Sequence, residues 1–207
     1  ASDVYKRQVA EDYFWQDMPF LYRTHENPDP EKMRKLATFI NNFGYTLRLT
    51  DDLRPKEIQK LLSEIEGSDA ENLISRLTLR SMKKAKYTTE CVGHFGLAAK
   101  YYCHFTSPIR RYPDLAIHRI LTDLCYNKMP PAVIAKRYGK FAANASLQSS
   151  ECELTAMRVE RDCEDCYIAE YMSSHLGEEF EGNISGITDY GMYVELPNTV
   201  EGLVKIE

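Results

Sequence analysis

The spacing of apolar residues predicts helices over much of this chain. From Pro30 to Phe43, Met33, Leu36, Phe39, Ile40 and Phe43 recur at near-helical intervals, and Gly44 supplies a stop. Pro55 opens a second helix with Ile58, Leu61, Leu62 and Ile65 inward, ended by Gly67. Ser68 and Glu71 have the spacing of a capping box for a third, with Leu73, Ile74 and Leu77 facing a core. The helical period then disappears between Tyr87 and Tyr112. Gly93, Gly96, Pro108 and many rings (Tyr87, Phe95, Tyr101, Tyr102, Phe105, Tyr112) predict loops with one or two short strands. Pro113 restarts a helix through Leu115, Ile117, Ile120, Leu121 and Leu124. After Pro130-Pro131 a helical stretch runs to Leu176, with Gly139 and the Ala142 to Ser150 run as a place where it breaks in two, and Gly177 ends it. Beyond Gly177 the period becomes two. Phe180 to Ile184, Gly191 to Leu196 and Val200 to Ile206 predict three short strands, the opening of a small β-barrel but too few to close one. The expected class is α+β, mainly helical with a β-rich end, and no internal repeat or low-complexity tract interrupts it.

A length of 207 residues allows one large domain or two small ones. Hydrophobic residues at 43% and charged residues at 28% exclude wholesale disorder, a collagen-like repeat and a disulfide-dense toxin scaffold. No stretch approaches the ~20 apolar residues of a membrane-spanning helix, and the N-terminus lacks the pattern of a signal peptide, so no membrane association and a cytoplasmic setting are expected. Asp3 to Gln8 resembles the in-frame translation of a sequencing-library adapter. Ala1 to Gln8 are therefore set aside from the fold reading, and the chain is expected to be an internal piece of a longer protein.

The formal net charge of -5 conceals an asymmetry. From Arg76 to Arg119 nine Lys and Arg stand against only Glu90 and Asp114, a local excess of seven, so the rest of the chain carries minus twelve. A basic block in an acidic protein is a candidate polyanion site, and it is equally read as a solvated basic face. Six cysteines without a secretory signal point to a reduced compartment. Cys163 and Cys166 form a C-x-x-C in a helical stretch, with no second pair at zinc-ribbon spacing. Structural cysteine is preferred there over a zinc or redox clip.

The densest chemistry lies in His94-Phe95-Gly96-Leu97, then His104 to Asp114 (HFTSPIRRYPD), then His118-Arg119. Adjacent Arg110 and Arg111 on a proline-bounded loop offer planar forks of N–H donors suited to phosphate. Thr106 and Ser107 add hydroxyls, Pro113 leaves the next helical amides facing outward, and Gly96 permits close backbone approach. The interleaved rings are able to stack on bases. Together these features describe a groove for single-stranded nucleic acid. The competing reading pairs the arginines with carboxylates such as Asp114 or Glu160.

These residues carry a resemblance. HFGLAAKYYCHFTSPIRRYPDLAIHR is similar to the signature of the ribonuclease II/ribonuclease R family of exoribonucleases. Pro19 to Lys32 (PFLYRTHENPDPEK) and Ala156 to Met172 (AMRVERDCEDCYIAEYM) resemble the ribonuclease R version of its catalytic domain, and the segment from Gly177 resembles the start of an OB-fold RNA-binding domain. Three ordered matches and the right C-terminal neighbour cover Val9 to Glu207. The resemblance implies the mainly helical C-terminal part of the catalytic domain over 9–176 and a truncated OB-fold β-barrel over 177–207. It implies processive 3′-to-5′ hydrolysis of RNA to 5′-mononucleotides, with single-stranded RNA as partner, two Mg²⁺ ions as cofactors and a monomeric state.

The resemblance also assigns roles. Arg110 matches the position that contacts the scissile phosphate, and Glu160 matches a glutamate near the active site. Arg111, Ser107, His94 and His104 are candidates for lining the RNA channel, and no histidine is read as a general base. The aspartate cluster that holds the family's metals is not visible: neither Asp51-Asp52 nor Asp162 with Asp165 reproduces it. No metal ligand is therefore assigned, and the chain by itself is expected to be inactive. Two alternatives stand: a non-catalytic RNA-binding member of the same fold, and an unrelated helical interaction domain with Cys163 and Cys166 as a clip.

Overall fold

The computed structural model describes residues 2–48, 54–68 and 70–205. Among the described residues six α-helices and five strands follow in the order α1(Ser2–Phe14), β1(Tyr22–Thr24), α2(Pro30–Asn41), α3(Pro55–Ile65), α4(Glu71–Ser81), β2(Lys86–Thr88), α5(Tyr112–Leu121), α6(Pro131–Ser173), β3(Asn183–Thr188), β4(Gly191–Glu195) and β5(Glu201–Lys205). The expected α+β class holds. The chain divides into two compact units, residues 1–153 and 154–207.

In the first unit, local chemistry fixes the helix starts. Asp29 accepts the Glu31 N–H at 2.8 Å ahead of α2, and Pro30 leads it in. Glu57 receives the Arg54 N–H at 2.6 Å at the start of α3. The capping box expected at Ser68 does not form. The Ser68 hydroxyl turns back to the Ile65 carbonyl at 2.7 Å, and Glu71 reaches the Gly67 N–H instead. Met33, Leu36, Ile40, Ile58, Leu61, Ile65, Ile74 and Phe95 form one core among α2, α3 and α4.

A second core gathers Phe20, Leu21, Tyr22, Tyr101, Cys103, Ala116, Ile117, Ile120, Ile134 and Ala142, where α1, β1, α5 and the first turns of α6 meet. α1 takes in the segment set aside on sequence grounds. Arg7 pairs with Asp3 at 2.8 Å, and the Cys103 thiol donates to the Lys6 carbonyl at 3.3 Å. β1 pairs antiparallel with β2, Arg23 opposite Tyr87. After α5 a π-helical turn, Thr122–Tyr126, places Asp123 to accept from Asn127 and Tyr138, both at 2.7 Å, which ties that turn to α6.

The break expected in the long helix is absent, because α6 runs unbroken for 43 residues. A mid-helix glycine such as Gly139 costs about 1 kcal/mol. The small buried side chains Ala142, Ala145 and Ser146 let the helix pack closely instead of ending it.

The second unit holds the remainder of α6, exposed along most of its length, and a three-stranded antiparallel sheet in the order β3-β4-β5. Its first strand begins at Asn183 rather than at the expected Phe180, and a bulge lies between Ile184 and Gly186.

Candidate functional site

The Ser107–Arg111 turn sits immediately before α5. The Arg110 and Arg111 amides both donate to the Ser107 carbonyl, at 3.3 and 3.1 Å. Pro113 occupies the first helical turn, where its missing N–H is harmless. Asp114, 0% exposed, organises the whole turn. One of its oxygens accepts the Ser107 N–H at 2.8 Å and Arg111 Nη2 at 2.8 Å, and the other accepts Arg111 Nε at 3.0 Å. The two arginines therefore part company. The Arg111 side chain is 19% exposed. Burial acts against its charge, but the hydrogen bonds and charge of Asp114 prevail and raise its pKa further. Arg110 is exposed and its guanidinium has no partner among the described residues. The Ser107 hydroxyl is likewise unpaired among them. Ile109 beside it is 97% exposed. Arg119, also exposed, lies 5.9 Å from the Tyr112 ring centroid.

His94 and His104 lie elsewhere, in a seam of rings. His25 meets His94 at 5.1 Å between centroids, His94 meets Tyr102 at 5.3 Å, Tyr102 meets His104 at 6.0 Å, and His104 meets Tyr87 at 5.6 Å. The Tyr87 hydroxyl and His104 Nδ1 share a hydrogen bond of 2.8 Å. Arg23 closes the seam, with its guanidinium carbon 4.6 Å from the Tyr87 centroid and its fork paired to Glu153 at 2.6 and 3.0 Å.

Desolvation, then the charges of His25 and Arg23, pushes His94 down to about 4. Desolvation, then the charges of Arg111 and Arg23, pushes His104 down to about 3. Both rings are neutral at pH 7 and offer a polyanion no charge. His94 Nδ1 and His25 Nε2 are buried without a hydrogen-bond partner among the described residues. His118 Nε2 donates to the Phe105 carbonyl at 2.8 Å. The room at Gly96 is taken by protein as well: its amide donates to His25 Nδ1 at 3.1 Å, and an added Cβ would stand 3.0 Å from that nitrogen. A cavity of about 710 Å³ lies against the seam, lined by Phe14, Trp15, His94 and Tyr101 among others, but neither Arg110 nor Arg111 lines it.

Glu160 is exposed on α6, within the second unit. Cys163 and Cys166 are exposed free thiols on the same helix, and Cys103 alone of the six is buried. Among the described residues no three His, Cys, Asp or Glu side chains gather as a metal-binding group. Asp51 and Asp52 lie outside the described residues. The described residues therefore do not fit a magnesium pair.

Sequence reasoning named Asp114 as a partner for the arginines, and the structure bears this out for Arg111, but it did not foresee the bond from Ser107 to the same carboxylate. It missed Arg23 with Glu153, for which the sequence held no signal, since the partners are 130 residues apart.

The family model for the RNB domain matches residues 5–127, starting inside the segment set aside above, and the model for the S1 RNA binding domain matches residues 175–207. The chain is 41% identical over 199 residues to ribonuclease R 1 of Lactococcus lactis, covering 96% of this chain and 24% of that protein. It is 43% identical over 189 residues to ribonuclease R of Aquifex aeolicus, covering 91% of this chain and 26% of that one. The chain thus spans about a quarter of the length of these curated relatives. The solved structure of Mycoplasma genitalium RNase R in complex with ribose methylated single-stranded RNA superposes with a TM-score of 0.91 at 26% identity, covering 98% of this chain and 32% of that one.

Proposed function

The chain belongs to the ribonuclease II/ribonuclease R family, and we propose that it forms part of an enzyme that degrades single-stranded RNA processively from the 3′ end to 5′-mononucleotides. The observation that carries this reading is the unpaired Arg110 fork, held out from a turn whose other arginine is anchored. In phosphodiester hydrolysis, negative charge builds on the non-bridging oxygens as phosphorus becomes five-coordinate. A planar guanidinium bonds two such oxygens at once and gains strength as that charge grows. Arg110 therefore acts on turnover more than on ground-state binding. Ser107 and Arg111 shape the turn, and His94 and His104 belong to the seam of rings with Tyr102 and Tyr87.

The two divalent ions of this chemistry have no ligand set among the described residues. In this reading the 207-residue chain alone hydrolyses no RNA. The S1-matched residues 175–207 form the start of an RNA-binding module, Glu160 belongs to the surroundings of the RNA end, and the enzyme works as a cytoplasmic monomer.

The test is an assay of the complete polypeptide on single-stranded RNA with Mg²⁺. Release of 5′-mononucleotides is expected. Arg110→Ala should lower kcat by about a hundredfold, the scale of one lost transition-state donor, with a much smaller loss of affinity, that of one phosphate contact. Arg110→Lys should restore only part of it, for lack of the fork. Binding of RNA with no mononucleotide release would favour a non-catalytic member of the same fold. Hydrolysis by the 207-residue chain alone would overturn the reading of where the metals are held.

A further inference from the structure

Asp114 spends a fully buried carboxylate on one turn. Its three accepted hydrogen bonds come from the two ends of that turn, Ser107 and Arg111, at 2.8 to 3.0 Å. Between those ends stand Pro108, Ile109 and Arg110, whose side chains have no hydrogen bond or ion pair of their own among the described residues. The carboxylate is itself fixed, because it leaves the first turn of α5, whose Ala116, Ile117 and Ile120 are 0% exposed. The turn is thus pinned at both ends from the core side, and Arg110 is the cation left on its open side. An amide in place of the carboxylate would set an N–H against one of these donors, and a longer acid would displace both ends.

We propose that Asp114 is the positioning residue of the site: it holds the Ser107–Arg111 turn in the one shape that presents Arg110 to a phosphodiester. The inference rests on the reading of Arg110 given above. Small displacements of a charge-stabilising group lower rate more than affinity, so the signature is a loss in kcat at nearly constant KM.

A double-mutant cycle in the complete polypeptide, on single-stranded RNA, separates positioning from general support of the fold. Asp114→Asn should lower kcat by roughly tenfold with KM within about twofold. Added to Arg110→Ala, it should lower kcat by no more than about twofold further, since Asp114 acts through Arg110. Losses that multiply in the double variant overturn the proposal, because Asp114 then acts without Arg110. Should Asp114→Asn fail to fold, Arg111→Lys, which keeps the charge but loses the Nε donor, goes through the same cycle with the same two outcomes. Asp114→Glu should fall between parent and Asp114→Asn. An unchanged kcat in Arg110→Ala alone overturns both the positioning role and the reading it rests on. A normal loss there with a multiplying Asp114→Asn overturns the positioning role only.

Discussion

Residues 87–104 and 107–119 belong to the same basic stretch and share its mixture of rings, histidines and cations, yet burial parts them. In the first, Tyr87, His94, Tyr102 and His104 meet one another edge to face, and the histidines are neutral. In the second, a buried carboxylate takes one guanidinium and leaves the next exposed. Histidine and arginine counts alone do not separate a wall from a working surface. Depth and the nearest buried acid do: desolvation removes charge from a weak base such as histidine, while arginine keeps its charge and needs a partner if it goes inside.

The comparison breaks most readily on the wall side. Glu153→Gln removes the charge that pairs Arg23 while Arg23 stays largely buried, an expected loss of ~2 kcal/mol, seen as a clear drop in Tm. An unchanged melt would mean that the seam is not held by this pair. His104→Phe deletes the Tyr87 hydrogen bond while keeping a ring, for an expected loss of ~1 kcal/mol. A stability gain there would contradict the supporting role.

The pH dependence follows with a definite sign. The folded pKa values of His94 and His104, about 4 and about 3, lie below the ordinary 6.5, so the unfolded chain takes up protons that the folded chain refuses. Stability is complete above that ordinary value and declines as pH falls from 6.5 toward 4. Glu26, drawn down to about 2 by Lys83 and Lys86, has the same sign in a lower window, from 4.5 to about 2. Melts at pH 7 and pH 5 therefore report chiefly on histidine. Tm should be lower at pH 5, and His94→Phe with His104→Phe should flatten the difference.

The smallest effect sharpens the working side. Arg110→Gln should reduce the slope of log K against log salt for single-stranded RNA by ~0.7, the value of one phosphate contact. Arg111→Gln should reduce it by less, because Asp114 already neutralises that charge. Equal reductions would erase the distinction between the two arginines.

Much of the architecture was legible in the sequence. The helices from Pro30 and Pro55 follow from apolar spacing with proline starts, and the three terminal strands from alternation between glycines. The unbroken α6 was not legible, because Gly139 and the alanines read as weak points when their burial is unknown. The capping box at Ser68 failed because a serine hydroxyl close to the preceding helix end has a competing carbonyl in Ile65. Within the site, the cationic turn was visible as a motif, but the division of labour between Arg110 and Arg111 was not. It depends on which of two adjacent forks points toward Asp114, and spacing along the chain does not decide that.

The most direct measurement is a nuclear magnetic resonance titration of the ¹⁵N-labelled chain with a short single-stranded RNA, reading arginine Nε–H and histidine ring signals. The Arg110 Nε–H is predicted to shift on addition of RNA. The Arg111 Nε–H should stay at its Asp114-bonded position, and His94 and His104 should keep neutral-ring shifts throughout. Movement of the two histidines with a stationary Arg110 would contradict the account.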